Sequence, residues 1–175
     1  PLLRQAVIKL EPCVSDETDF LKYALLNQAY KETLQRLGGI RLSDDVSFLN
    51  TPHALLRALD KKETKQVLVD RGLRVTPMLP SPHSFDELRE LLAGCGRGCF
   101  LKPRYGSGAG GIMAVRYQPN RNKWVVYTTL QQVDGVIHNT KRIHRLSTEK
   151  EMIPLAEAVM QTEAILEEWI PKEQL

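Results

Sequence analysis

An α+β fold is predicted by three features of this sequence. Residues 16–93 carry apolar side chains at helical spacing, residues 99–146 break into short β-prone runs joined by turns, and a capped helix followed by an apolar strand closes the chain. Helices therefore come first, then an antiparallel meander, then helix and strand. The strict strand–helix alternation that builds a parallel sheet is missing.

Residues 6–10 are a short β-prone run that turns at Glu11-Pro12. Over residues 16–37, Phe20, Ala24, Leu25 and Ala29 recur at helical spacing until Gly38-Gly39 stop the helix. Thr51 suits a cap and Pro52 a first helical position for a helix over residues 53–59. Asp60 begins DKKETKQVLVDRG, a helix ending at Gly72, and extended LRVTP follows. Pro77, Pro80 and Pro82 mark a linker. Ser84 and Glu87 form a capping box for a helix to about residue 93. Residues 99–103 and 112–117 read as strands, and 124–129, 132–137 and 140–146 as three more short ones. Thr148 and Glu151 are a second capping box, for a helix to about residue 161. Residues 164–170 are apolar and extended, with Glu167-Glu168 set inside.

The 175 residues suffice for about one to one and a half domains and need no staples. With 42% apolar and 26% charged residues, the composition is that of a soluble globular protein. A net charge of +3 is mild. Nucleic-acid binders usually concentrate far more positive charge on one face, and a site for a small anion fits this balance equally well. Cys13, Cys95 and Cys99 have no second Cys/His pair beside them to complete a zinc site, so free thiols in a reducing cytoplasm are expected. The chain has neither a membrane-length apolar run nor a signal-peptide layout, and its start at proline looks like a processed or trimmed end.

The most informative stretch is FLKPRYGSGAGGIMAVRY, residues 100–117. Gly106, Gly108 and Gly111 satisfy G-x-G-x-x-G as a bare string. A dinucleotide loop must open a helix, however, and IMAVRY reads as strand. The P-loop pattern fails because no Gly-Lys-Ser/Thr follows. What remains is a strand–glycine loop–strand flap that can lie over a polyphosphate, or a loose hairpin with a mobile tip. Glycine lets backbone N–H groups approach phosphate oxygens, and Ser107 adds a hydroxyl. Lys102 favours the flap, because a lysine half-buried in a strand is costly unless an anion meets it.

Three stretches in order resemble the ATP-grasp superfamily: residues 50–77 (NTPHALLRALDKKETKQVLVDRGLRVTP), the flap just described, and residues 164–172 (AILEEWIPK). The chain is more narrowly similar to an uncharacterised, mostly bacterial branch with a VKP-x-x-GS flap and an E-x-W-x-PK hinge. The resemblance implies a partial N-terminal region over residues 1–50 and a nucleotide-binding region over 51–175. It implies ATP and Mg²⁺ as cofactors and an ATP-dependent ligase joining an unknown carboxylate to an amine or thiol. By position, Lys61 and Lys102 match the two phosphate-binding lysines, and Ser107, Gly108, Gly110 and Gly111 match the flap over the β and γ phosphates. Glu167 matches a hinge carboxylate near adenine and ribose, while the Glu168 and Ile170 backbones face the adenine edge. In the family the Mg²⁺ ligands follow the hinge, so they are expected beyond residue 175 and the chain looks truncated.

Two rival readings stand beside this one. One is a non-catalytic nucleotide-binding or interaction fragment. The other is a nucleic-acid-binding α+β module using Lys141, Arg142 and Arg145, a stretch that reads more naturally as the wet face of a strand. Trp124 and Trp169 read as packing residues.

Overall fold

The computed structural model describes residues 6–11 and 18–170. Cys13, Asp16 and the Pro171-Lys172 end of the hinge motif lie outside them. Strand β1 (Ala6–Ile8) leads to helix α1 (Phe20–Gly38) and strand β2 (Val46–Phe48). β1 and β2 pair in parallel, Ala6 against Val46 and Ile8 against Phe48. The Asp19 carboxylate caps α1 by accepting from the Leu21 and Lys22 N–H groups at 3.0 and 3.3 Å. Helices α2 (Pro52–Leu59) and α3 (Lys61–Asp70) follow, separated by Asp60 alone. Thr51 caps α2 through the Ala54 N–H, and Asp60 caps α3 through those of Lys62 and Glu63.

Strand β3 (Met78–Leu79) lies within the proline-rich stretch expected to be a linker. Then come α4 (Phe85–Cys95), β4 (Cys99–Pro103), β5 (Met113–Gln118), β6 (Lys123–Val133), β7 (Val136–Leu146), α5 (Glu149–Met160) and β8 (Ala164–Glu168). At α4, Ser84 accepts from the Glu87 N–H as the box requires, but the Glu87 carboxylate reaches the His83 N–H instead of that of Ser84. The meander expected as three short strands after β5 is two long ones, β6 and β7. Their turn is Asp134-Gly135, at φ 48° and 80°, which swallows the middle of the expected 132–137 strand.

The six-stranded sheet has the order β3-β8-β4-β5-β6-β7, with every neighbouring pair antiparallel. The α+β class is therefore as the sequence predicts. One face of the sheet packs against α4 and α5. Leu88, Leu92, Leu101, Met113, Val115, Val126, Met152, Val159 and Leu166 fill that core. Phe20 of α1 belongs to the same core, so residues on both sides of position 50 share it. Because strand side chains alternate, the other face carries Phe100 and Lys102 of β4, Ala114 and Arg116 of β5, Tyr127 of β6 and Glu167 of β8.

Among the described residues, no helix is long and apolar enough to cross a membrane.

Candidate functional site

The β4–β5 hairpin forms as expected, with Cys99 against Val115 and Leu101 against Met113, and turns occupy residues 108–111 where a dinucleotide site would start a helix. The loop tip is not bare, however. Tyr23 of α1 donates its hydroxyl proton to the Ser107 carbonyl at 2.9 Å and accepts from the Ser107 N–H at 3.2 Å. The Gly111 N–H donates to Asn139 Oδ1 at 3.4 Å. A Cβ at Gly111 would meet Phe20 at 2.5 Å, and one at Gly110 would meet Tyr23 at 2.9 Å. These two glycines thus admit the aromatic side chains of α1, a role the sequence did not suggest. Gly108 differs: its φ is +66° and a Cβ there meets nothing within 4 Å. The Gly108 and Ala109 amides have no acceptor among the described residues.

Lys61 stands at the start of α3, directly below this loop. Its ammonium donates to the Gly106 carbonyl at 2.8 Å and to that of Arg104 at 3.4 Å. The position of α3 is fixed by Asp60, which is 5% exposed and holds the Arg104 guanidinium through two bonds of 2.8 and 2.6 Å. Tyr105 adds a third contact to the same carboxylate at 3.2 Å. Burial opposes ionisation of Asp60, but the Arg104 bonds and the helix N–H groups hold its pKa below the usual carboxylate value. One carboxylate therefore caps α3 and clamps the base of the glycine loop onto it.

Lys102 lies on the open face of β4, and its ammonium is 2.7 Å from Glu167 Oε1. That contact is an ion pair without the alignment of a hydrogen bond. Lys65, one turn after Lys61 on α3, pairs with Glu167 Oε2 at 3.1 Å and donates to the Thr76 carbonyl at 2.8 Å. Thr76 donates its hydroxyl proton to Glu167 Oε2 at 3.0 Å and accepts a bond from Lys65. Burial would raise the Glu167 pKa, yet Lys102 and then Lys65 hold it below the usual value. The carboxylate assigned to the adenine and ribose is thus turned inward, onto two lysines.

Lys61 has no carboxylate within salt-bridge distance among the described residues. Burial, then repulsion from Lys102, lower its pKa from 10.5 to about 8, against weaker support from Glu167 and Asp60. Lys65 and Lys102 therefore share the Glu167 carboxylate, and Lys61 beneath the loop lies near enough to Lys102 to be repelled by it, although 41 positions separate the two.

At the other end of β4, the Glu168 N–H donates to the Pro77 carbonyl at 3.0 Å and the Trp169 N–H to that of Gly98 at 2.7 Å. The Ile170 amide has no acceptor among the described residues, and its side chain is exposed. Trp169 packs on Phe100 and under the Arg116 guanidinium, 4.5 Å from its ring centre. Beside it a groove of about 840 Å³ is lined by Arg116, Lys123, Tyr127 and Arg145. Lys141 and Arg142 are exposed on β7, and His144 bonds Thr140 at 3.0 Å, as a wet strand face requires.

Sequence reasoning missed Lys65, Thr76, Tyr23 and the Asp60–Arg104 clamp. Lys65 was detectable, since positions four apart on a helix share a face. Nothing local in the sequence marks Tyr23, whose role depends on where α1 packs. The chain matches no protein-family model, no curated protein and no solved structure.

Proposed function

We propose that the chain is the ATP-binding segment of an ATP-grasp-type carboxylate–amine or carboxylate–thiol ligase, with the polyphosphate beneath the 104–111 loop. The observation that carries this is the excess of positive charge: half-buried Lys65 and Lys102 share the Glu167 carboxylate, and Lys61, repelled by Lys102, has no carboxylate within salt-bridge distance among the described residues. Holding unpaired cations out of water is costly, and an anion that replaces the missing carboxylates removes the cost. The amides of Gly108 and Ala109, without acceptors among the described residues, supply further donors at the same place.

When bound, ATP supplies the phosphoryl group that turns a carboxylate into an acyl phosphate open to attack by an amine or thiol. The residues of this chain perform the binding. Lys61 meets phosphate oxygen by exchanging its carbonyl partners. Lys102, 2.7 Å from Glu167 Oε1, needs only to leave that carboxylate. Glu167 remains neutralised by Lys65 as it does so, which keeps the exchange from stranding a buried charge. The hinge end, with the Ile170 amide and the Phe100–Trp169 wall, offers an apolar edge for adenine.

Among the described residues there is no group of three or more His, Cys, Asp or Glu side chains that could hold a metal ion.

Calorimetric titration with ATP and with adenosine tests the reading. Lys102→Met should weaken ATP by about tenfold or more while leaving adenosine within about twofold, since a charge-assisted bond to phosphate is worth roughly 1.5–3 kcal/mol. Equal losses for both ligands, or no binding of ATP by the folded wild-type chain, would refute it.

A further inference from the structure

The last residue of α4 and the first of β4 are both cysteines, and their sulfur atoms lie 3.7 Å apart. We propose that Cys95 and Cys99 are a redox modification site, which a hydroperoxide or a small-molecule disulfide closes to an intramolecular disulfide.

Three observations support this. First, the two sulfurs already touch, so bond formation needs an approach of only about 1.7 Å to the usual length of about 2.05 Å. Second, the connection can yield. Gly96 sits at φ +63° and a Cβ there would meet nothing within 4 Å, so the start of the turn after α4 has room to move on the Cys95 side, while Gly98 at its end is held by the Trp169 N–H at 2.7 Å. Third, the two thiols differ in access. Cys99 is fully buried, whereas Cys95 is half-buried and lines a cavity of about 670 Å³ between α4 and the β3–β8 edge. An oxidant therefore reaches Cys95 first and leaves Cys99 as the resolving partner. Burial, with Cys95 and Glu168 beside it, pushes the Cys99 thiol up to about 12, which keeps Cys99 from reacting first.

A hydroperoxide closes the pair in two steps. The Cys95 thiol gives up its proton and its sulfur attacks the terminal peroxide oxygen; a sulfur–oxygen bond forms, the oxygen–oxygen bond breaks, and the departing hydroxide or alkoxide takes that proton to leave as water or an alcohol. Cys99 sulfur then attacks Cys95 sulfur, the sulfur–oxygen bond breaks, and the leaving hydroxide takes the Cys99 proton as water. Two thiols lose two hydrogens and the oxidant gains two electrons. With a small disulfide, Cys95 first forms the mixed disulfide, and Cys99 expels the small thiol.

The test uses the full 175-residue chain carrying Cys13→Ser, which leaves Cys95 and Cys99 as its only thiols. The protein is treated with hydrogen peroxide or oxidised glutathione, alkylated with iodoacetamide, and weighed intact. The expected product is a monomer about 2 Da lighter, unalkylated, without glutathione, and restored by dithiothreitol. Cys95→Ser should abolish the mass loss, leaving Cys99 reduced and alkylated only after unfolding. Because Cys95 is half-buried, that variant keeps the test open even where Cys99→Ser fails to fold. Two alkylated cysteines after excess oxidant would overturn the proposal. So would a stable glutathione adduct or sulfinic acid on Cys95 with Cys99 still a free thiol.

Discussion

Raising the pH should release the proposed phosphate site from its ligand, because Lys61, which has no carboxylate partner among the described residues, titrates close to neutrality. Free Lys61 has a pKa of about 8, against 10.5 for an ordinary lysine. A bound phosphate removes the cause of that depression and returns the group toward its usual value. The affinity for ATP should then fall by about tenfold per pH unit above 8, with a ceiling of about 300-fold set by the difference of about 2.5 units. The terminal phosphate of ATP loses its last proton near about pH 6–7, so its charge changes little across about pH 8–9.5, the window for calorimetry. Adenosine should show no trend, and Lys61→Arg should flatten the ATP profile because guanidinium stays charged. The folding consequence has the opposite sign. Between about pH 8 and 10.5 the unfolded chain binds the Lys61 proton and the folded chain does not, so this group adds stability as pH rises. Lys61→Met should therefore not lower the urea midpoint at pH 7 even as it weakens ATP, a trade typical of binding sites. A Lys61 side-chain signal in ¹³C NMR that titrates only near 10.5, or an ATP affinity flat across the window, would refute this reasoning.

Three further outcomes are expected. Glu167→Gln leaves two half-buried ammonium groups without their carboxylate and should cost about 3–5 kcal/mol in chemical denaturation. In the wild type the Glu167 contribution should be present above the unfolded carboxylate pKa and be lost as pH falls through its lowered folded value, which a pH series of melts reads. Tyr23→Phe removes both bonds to the Ser107 backbone and should cost about 1 kcal/mol, with faster amide exchange at residues 107–111 and little change elsewhere. Asp60→Asn leaves the half-buried Arg104 guanidinium without its main carboxylate and should lower the melting temperature by about 5 °C or more, since each kcal/mol shifts a chain of this size by about 2–4 °C.

Where local chemistry decides, the sequence was legible. Thr51, Asp60, Ser84 and Thr148 all stand at helix starts as expected, and β4 spans the residues the alternation indicates. β2 and β3 were missed because two or three residues show no period, and because the prolines around β3 signal a linker. An edge strand of two residues tolerates those prolines. The β6–β7 hairpin was misdivided although Asp-Gly is a strong turn signal, since Val133 and Val136 on either side blend into one β-prone run. At the site, Lys61 and Lys102, which the resemblance assigns to one ligand, lie near enough for Lys102 to repel Lys61. The inward turn of Glu167 did not, because it depends on Lys65 and Thr76 arriving from separate elements.

The glycine loop offers the sharpest separation between packing and binding. Gly111 has φ +74°, and a methyl added there would lie 2.5 Å from the Phe20 ring, so Gly111→Ala combines left-handed strain with a core clash. Together these cost roughly 2–5 kcal/mol, and the variant should be visibly destabilised. Gly110 is crowded by Tyr23, and Gly106 to a lesser degree by the Tyr23 hydroxyl at 3.2 Å. Gly108 alone in the loop has open space around it, at φ +66°. Gly108→Ala therefore costs only the strain, about 1–2 kcal/mol. If packing were the whole purpose of the loop, that position would have no further need of glycine. If the loop covers a polyphosphate, a methyl at residue 108 stands beside the Gly108 and Ala109 amides and holds ligand oxygens away from them. Gly108→Ala should then fold with a modest loss of stability, lose about tenfold or more in ATP affinity, and bind adenosine as before. An alanine at 108 that leaves ATP affinity unchanged would remove the loop from the site and reduce its glycines to a packing device for α1.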